Sequence, residues 1–292
     1  MQQYLDLVRE VLARGTRKPN RTGVDTISTF NHNYEIDLTR GFPLLTTKEI
    51  SWKNIVIENL WFLSGDTRIS LLKKHGCKFW DPWADDDGVV TSAYGNFWRH
   101  FPIHEDGQAT FRDQIAWVLA EIQRNPMSRR LVVTAWAPGN AHTSALPPCH
   151  CLWILNVQND ERGEPYLCLH LTQRSCDVAL GVPYNIAGYA FLLELIGHFA
   201  GIRPGIFAHT LVDAHVYTAK PDGSMADYDH VPGLEEQLTR TPRALPKLTI
   251  SPAIRSLADV EALMHEDTAT ILSHFQLGGY DPHPAIKFKV AV

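Results

Sequence analysis

At 292 residues, with 45% hydrophobic and 20% charged side chains, the chain has the makeup of a globular protein of one large domain or two small ones. A formal charge of -5 argues against a general affinity for nucleic-acid backbone, so the basic residues relevant to function should be few and focused. The five cysteines, an odd number without a secreted spacing pattern, suggest reduced thiols. With no signal-peptide pattern at Met1–Leu5 and no apolar run of membrane-spanning length, a cytoplasmic location is expected.

In chain order, Tyr4, Leu5, Val8, Val11 and Leu12 recur at helical spacing, with Gly15 as a stop. Asn20-Arg21-Thr22-Gly23 reads as a turn, and residues 26–38 alternate as strands do. A second helix is predicted over 52–63, ended by Ser64-Gly65-Asp66, and a third over 111–123, with Ile115, Val118, Leu119 and Ile122 on one face. After Asn125-Pro126 the texture becomes strand-like over 131–136, 151–157 and 166–172. Residues 186–200 read as a buried helix, and 206–217 and 248–250 as further strands. Helices and strands mix without a regular βα repeat, which predicts an α+β fold, one mixed α/β domain over 1–292.

Chemistry is concentrated in two stretches. Leu146-Pro147-Pro148-Cys149-His150 places a thiol on a Pro-fixed turn before a predicted strand. Gln173-Arg174-Ser175-Cys176-Asp177, followed by Gly181-Val182-Pro183-Tyr184-Asn185, brings a guanidinium, a hydroxyl, a carboxylate and carboxamides into an apolar region. Cys149 is a candidate nucleophile if a neighbouring cation, such as Arg174, favours the thiolate; the alternative is a small buried hydrophobe. Cys149-His150-Cys151 lacks the second ligand cluster that a tetrahedral metal site needs, so no metal is expected.

Arg21, Arg129, Arg130 and Arg174 are candidate phosphate ligands, because a guanidinium donates two parallel charge-assisted hydrogen bonds. Each is otherwise a solvated surface residue. The Asn185 amide complements the O4 acceptor and N3–H donor of uracil, but it also stands where a helix N-cap would. Glu58, inside a largely apolar helix, is either a solvated residue or a buried proton carrier. Trp80-Asp81-Pro82-Trp83 suits stacking on a flat ligand, or core packing.

The ordered set of motifs resembles the folate-dependent thymidylate synthases almost from end to end. The matching stretches are Asn20 to Gly23, Gly41-Phe42-Pro43-Leu44-Leu45-Thr46-Thr47-Lys48, Glu58 to Leu63, Trp80-Asp81, Tyr94-Gly95 and Ser128-Arg129-Arg130. Pro148-Cys149-His150, Gln173 to Asp177, Gly181 to Ala187 and Tyr280-Asp281-Pro282-His283-Pro284 complete it.

The resemblance implies a homodimer with sheets packed across the interface. Its substrate would be dUMP, with 5,10-methylenetetrahydrofolate as carbon and hydride donor and no metal, membrane or nucleic acid required. Cys149 would add to C6 of the uracil, with Glu58, Tyr94, His150, Arg174 and Asn185 also catalytic. Arg21, Gln173, Arg174, Ser175, Asp177, Asn185, His215 and Tyr217 would bind the nucleotide, with Arg129 and Arg130 entering from the partner subunit. Lys48, Phe79, Trp80, Trp83, Asp177, Gly181, Tyr184 and Ala291 would meet the folate, and Val290-Ala291-Val292 would close over it.

Several positions depart from the family pattern. Leu211-Val212-Asp213 replaces the usual Gly-Gly-Asp, Asn96-Phe97 replaces Lys-Gln, Phe79 is bulkier than an aliphatic, and 219–234 is longer. Some border the expected folate pocket, so a dUMP hydroxymethylase, in which water captures the exocyclic methylene, is the alternative reaction. A non-catalytic nucleotide-binding homologue is a further one, disfavoured because Cys149, Glu58, Tyr94 and Asn185 are all present. Trp80 and the hydrophobic tail favour exclusion of water, and hence methylation.

Overall fold

The computed structural model describes residues 1–141 and 144–291. Its first helix, Gln2–Arg14, buries Tyr4, Leu5, Val8 and Val11, as their helical spacing requires. The helix stops at Gly15 for a steric reason. A Cβ there would lie 2.4 Å from the Val11 carbonyl oxygen and 2.5 Å from a methyl of Ile27. Its φ of -65° suits any residue, so space and not backbone freedom selects glycine.

The helix Trp52–Ser64 starts where Ser51 accepts a hydrogen bond from the Asn54 amide and ends at Gly65, left-handed at φ 74°. Ile55, Val56, Ile57, Leu60, Trp61 and Leu63 make it an interior helix.

The third helix is shorter than its apolar pattern suggests, spanning Gln114–Arg124. Asp113 caps it by accepting from the Ala116 amide, and Phe111 is on an exposed hairpin instead, 68% accessible. That hairpin turns on Asp106-Gly107, both at positive φ, a turn that fits the twist of paired strands and overrides the helical reading of Phe111.

The helix Gly181–Ala200 begins five residues before the predicted start, because Pro183 lies in the first turn, where no amide donor is required. Asn185 is therefore inside the helix and not its N-cap. The amides of Ala179 and Leu180 are met instead by Asp177 Oδ1, at 2.9 and 3.0 Å.

The strands in the first half are β1 (Thr16–Lys18), β2 (Asp25–Asp37), β3 (Phe101–Glu105), β4 (Gln108–Arg112) and β5 (Val132–Thr134). Those in the second half are β6 (His150–Asn159), β7 (Pro165–Gln173), β8 (Cys176–Asp177), β9 (Arg203–Thr218), β10 (Lys247–Ile250) and β11 (Phe275–Gly278). Among the described residues, seven strands form one sheet in the order β1-β2-β9-β7-β6-β5, with β8 beside β9. The sheet is mixed: β7 runs antiparallel to β6 and parallel to β9. The mixed α/β class expected from the sequence is the class observed.

This topology gathers the chemistry-bearing motifs at one end of the sheet. His150, the first residue of β6, pairs with Gln173, the last of β7, which also pairs with Leu211 of β9. The register of β6 shifts just after His150. Beyond Gln173 the chain resumes pairing as β8, setting Asp177 across from His215.

The bulky Leu211-Val212 leaves the β2–β9 register unbroken on either side, with His32 across from Leu211 and Phe30 across from Asp213. Between them the partner strand yields: Asn31 takes φ 60°. Asparagine tolerates that left-handed conformation better than most residues.

Tyr94–Arg99 is a short helix pressed onto Trp52–Ser64. A Cβ on Gly95 would lie 2.3 Å from the Phe62 carbonyl oxygen and 2.9 Å from its Cα, so an alanine there forces backbone to move. Gly95→Ala is expected to cost roughly 1–3 kcal/mol, the usual range for overpacking. Urea denaturation followed by tryptophan fluorescence measures it; an unchanged midpoint would contradict the close approach.

Candidate active site

Cys149 is half-buried on the turn that enters β6. Arg174 fastens that turn: its backbone amide donates to the Cys149 carbonyl at 2.9 Å. Its Nε donates to the Pro148 carbonyl at 2.9 Å and an Nη2 proton reaches that of Pro147 at 2.7 Å. The guanidinium lies over the Trp136 ring, 5.5 Å from its centroid. Burial raises the thiol pKa and Arg174 only partly opposes this, so the resting sulfur is protonated.

Tyr94 closes the other side. Its hydroxyl oxygen accepts from the backbone amides of Cys149 and His150, at 3.1 and 3.4 Å, which leaves its proton to donate elsewhere. The His150 ring stacks on the Tyr94 ring, centroids 4.4 Å apart and planes 2° from parallel. Burial drives His150 down to about 3, only partly offset by Asn185, so the imidazole is neutral.

Glu58 accepts a 2.8 Å hydrogen bond from the indole N–H of Trp80. Burial lifts its carboxyl to about 7, with the Trp80 bond a weaker opposing effect. Glu58 is half-buried, with its carboxyl turned to the Trp80 indole. Trp80 is also edge-on to Tyr94 and Trp83, with centroids 5.7 and 6.1 Å away. Phe79 meets Tyr184 edge-on at 4.9 Å, so two bulky rings share one wall of the site. Asn96 turns away, donating to the Thr91 carbonyl at 2.9 Å, while Phe97 is buried.

The residues expected to meet a nucleotide are brought together by β7, β8 and β9. Gln173 donates to Asn185 Oδ1 at 3.0 Å and to the Ser175 carbonyl at 3.2 Å. A Cβ on Gly181 would stand 3.5 Å from that same Asn185 oxygen. His215 and Tyr217 lie edge-on at 5.4 Å, beyond the point between Leu211 and Ala214 where the burial pattern of β9 changes phase. Asp213 pairs with His215 Nδ1 at 3.5 Å and with Lys18 at 2.8 Å, which hold its carboxyl down to about 2. Burial pushes the Tyr217 phenol up to about 12, with the Arg21 charge partly opposing from an exposed position.

Lys48 is 3% exposed and donates to the Ala179 carbonyl, its ammonium 4.6 Å from the Phe288 ring centroid. Burial lowers it to about 8 despite the Asp177 carboxylate. Lys48 thus sits beneath the C-terminal tail and not at an open rim. The tail is tied down by His230 Nε2, which donates to the Lys289 carbonyl at 2.9 Å, and by Phe288 against Gly233. Ala291 continues this tail, partly exposed; Val292 lies outside the described residues. Arg129 and Arg130 are exposed just before β5, at the sheet edge, and make none of these contacts.

Three residues with no motif to announce them touch these groups. His209, Tyr34 and His230 are 1%, 9% and 1% exposed, and each touches a recognised site group or the tail. His209 had one signal: it alternates in phase with Phe207 and Leu211, a polar residue on the buried side of a strand. Among the described residues no group of three or more His, Cys, Asp or Glu side chains is arranged to hold a metal ion. No helix among them is long and apolar enough to cross a membrane.

The family model for thymidylate synthase matches residues 2–292. The chain is also 42% identical to a thymidylate synthase of Haloferax volcanii, over 98% of this chain and 95% of that protein. With the motifs gathered at one sheet end and the match running nearly end to end, the chain belongs to the thymidylate synthase family, methyltransferases that use methylenetetrahydrofolate as co-substrate.

Proposed function

We propose that the protein methylates dUMP reductively to dTMP. The observation that carries this reading is the Cys149 turn held by Arg174 from the next strand and by Tyr94 from behind. A thiol so placed has its cation beside it and its backbone fixed, which is what addition to an electrophilic ring carbon needs.

Arg174, Ser175 and Arg21 take the phosphate, His215 and Tyr217 the sugar, and Asn185 the uracil edge. Cys149 adds as thiolate to C6, making C5 nucleophilic. Asn185 and Glu58 stabilise the developing charge toward O4, and Glu58 passes protons there, since a carboxyl near 7 exchanges them readily at neutral pH. Tyr94, with its oxygen already accepting two amides, assists removal of the C5 proton, and neutral His150 keeps its ring in place.

The donor set suits a reduced folate. Trp80, Trp83, Phe79 and Tyr184 offer flat aromatic contact, and Asp177 Oδ1 is engaged by backbone amides, which orients its second oxygen for the N–H groups of a pterin. Gly181, Lys48 and Ala291 complete that side. When bound, methylenetetrahydrofolate supplies the one-carbon unit and the hydride. The aromatic wall and the docked tail exclude water, which directs the reaction to methyl and away from hydroxymethyl.

Arg129 and Arg130, exposed at the sheet edge, reach the phosphate of a partner subunit in a homodimer. We place the reaction in the cytoplasm and read 1–292 as one catalytic domain.

Mass spectrometry after incubation with dUMP and methylenetetrahydrofolate should show dTMP and dihydrofolate. 5-Hydroxymethyl-dUMP with tetrahydrofolate would establish the water-capture reaction instead. Cys149→Ser should form neither product while retaining dUMP binding; substantial turnover would remove the nucleophile assignment.

Glu58→Gln should abolish the inflection near pH 7 in kcat/KM. It should also stabilise the fold increasingly from pH 5 to pH 8. The raised pKa means the folded state holds a proton that the unfolded state has lost, so stability falls as pH rises from the unfolded value to about 7. The gain at pH 8 is on the order of 2 kcal/mol; a pH-independent difference in Tm would contradict the buried acid.

Arg129→Ala subunits mixed in equal amounts with Cys149→Ser subunits should regain up to about a quarter of the activity of the unaltered protein, by the statistics of random dimer exchange and one intact site per heterodimer. No recovery in verified heterodimers would argue that the arginines serve their own subunit.

A further inference from the structure

Tyr34 on β2 is paired across from His209 on β9, and both side chains are buried. From there a line of hydrogen bonds runs to the base-reading amide. The Tyr34 hydroxyl is 2.7 Å from His209 Nδ1, His209 Nε2 is 3.0 Å from Gln173 Oε1, and Gln173 Nε2 is 3.0 Å from Asn185 Oδ1. Gln173, 3% exposed, links the two ends.

The chemistry of the partners gives this line a direction. The Ser175 carbonyl, 3.2 Å from Gln173 Nε2, can only accept, so the amide nitrogen faces Ser175 and Asn185 and the amide oxygen faces His209. That oxygen requires a proton on His209 Nε2. Burial holds the imidazole well below its ordinary pKa, so it carries one proton and Nδ1 is an acceptor. The Tyr34 phenol, which burial keeps protonated, is the donor to Nδ1. Protons thus point from Tyr34 toward Asn185 at every step.

We propose that Tyr34 is a positioning residue for pyrimidine recognition: it locks one tautomer of His209 and, through Gln173, the one orientation of the Asn185 amide that reads uracil. The inference rests on the dUMP reading above. With Oδ1 held toward Gln173, Asn185 offers an acceptor to uracil N3–H and its NH2 to O4. A flipped Asn185 would set its NH2 against the Gln173 NH2, donor facing donor, and would present the cytosine-complementary pattern. Without the Tyr34 hydroxyl, His209 Nδ1 loses its donor and the Nε2–H tautomer is held by the Gln173 oxygen alone, so the direction of the amides beyond it is fixed from one end only.

Tyr34→Phe keeps the ring and removes only the donor. Its effect is read with 15N-histidine-labelled protein and with binding of dUMP, dCMP and 2-deoxyribose 5-phosphate. The unaltered protein should show His209 as the Nε2–H tautomer, and Tyr34→Phe a mixture of tautomers. The preference for dUMP over dCMP should fall on the order of tenfold, the scale of one buried hydrogen bond, while affinity for the base-free sugar phosphate stays the same. A general packing defect would weaken all three ligands alike and leave the preference intact, which would overturn the proposal. So would an Nδ1–H tautomer or an imidazolium in the unaltered protein, or an unchanged tautomer in the variant. Failure of the unaltered protein to bind dUMP would defeat the functional reading separately, and the tautomer measurement would still decide whether Tyr34 locks His209.

Discussion

Strand β7 is hydrogen-bonded on both sides, antiparallel to β6 and parallel to β9, and the site depends on that double pairing. Its last residue, Gln173, is fixed against His150 on one side and Leu211 on the other. The next residue, Arg174, therefore emerges beside the Cys149 turn and can cap two of its carbonyls. The brief return to pairing at β8 then sets Asp177 across from His215 and starts the long helix that carries Asn185. Groups separated by more than sixty residues in the chain meet because the start of β6 and the end of β7 coincide beside the second half of β9.

Burial sets the protonation state of this assembly. The same desolvation that keeps His150 and His209 neutral lifts Glu58 to about 7 and keeps the Cys149 thiol protonated. Around the Cys149 turn itself the fixed charge is that of Arg174, with Asp213 and Lys48 charged farther out. On the proposed reading, an entering phosphate would meet an unneutralised guanidinium, and the thiol would stay unreactive until substrate reorganised the charges around it. Glu58 is the group whose proton moves most easily at neutral pH, and its hydrogen bond to Trp80 ties that proton to the aromatic wall.

The departures from the family pattern fall into place differently. Leu211 and Val212 are absorbed by the sheet, with Asn31 yielding its backbone opposite them. Asn96 and Phe97 serve local structure, one bonding Thr91 and the other filling the core. Phe79 is the departure that borders the site, through its edge-on contact with Tyr184. The longer segment after Ala219 leads to Asp227 and Tyr228, both of which meet Lys289 of the tail.

The sequence by itself determined the secondary elements wherever periodicity and capping agreed, as in Gln2–Arg14 and Trp52–Ser64. It also singled out the candidate motifs, since Pro-Cys-His and Gln-Arg-Ser-Cys-Asp are contiguous and local. It misplaced the start of Gln114–Arg124 because an Asp-Gly turn claimed Phe111, and it started the helix carrying Asn185 too late because a proline inside a first turn looks like a break. Only the tertiary structure decided that Glu58 meets the Trp80 indole, that Lys48 lies under the tail, and that Tyr34 and His209 stand behind Gln173. The physical reason is that desolvation and hydrogen-bond direction arise from neighbours brought together by strand pairing, and no local stretch of chain contains them.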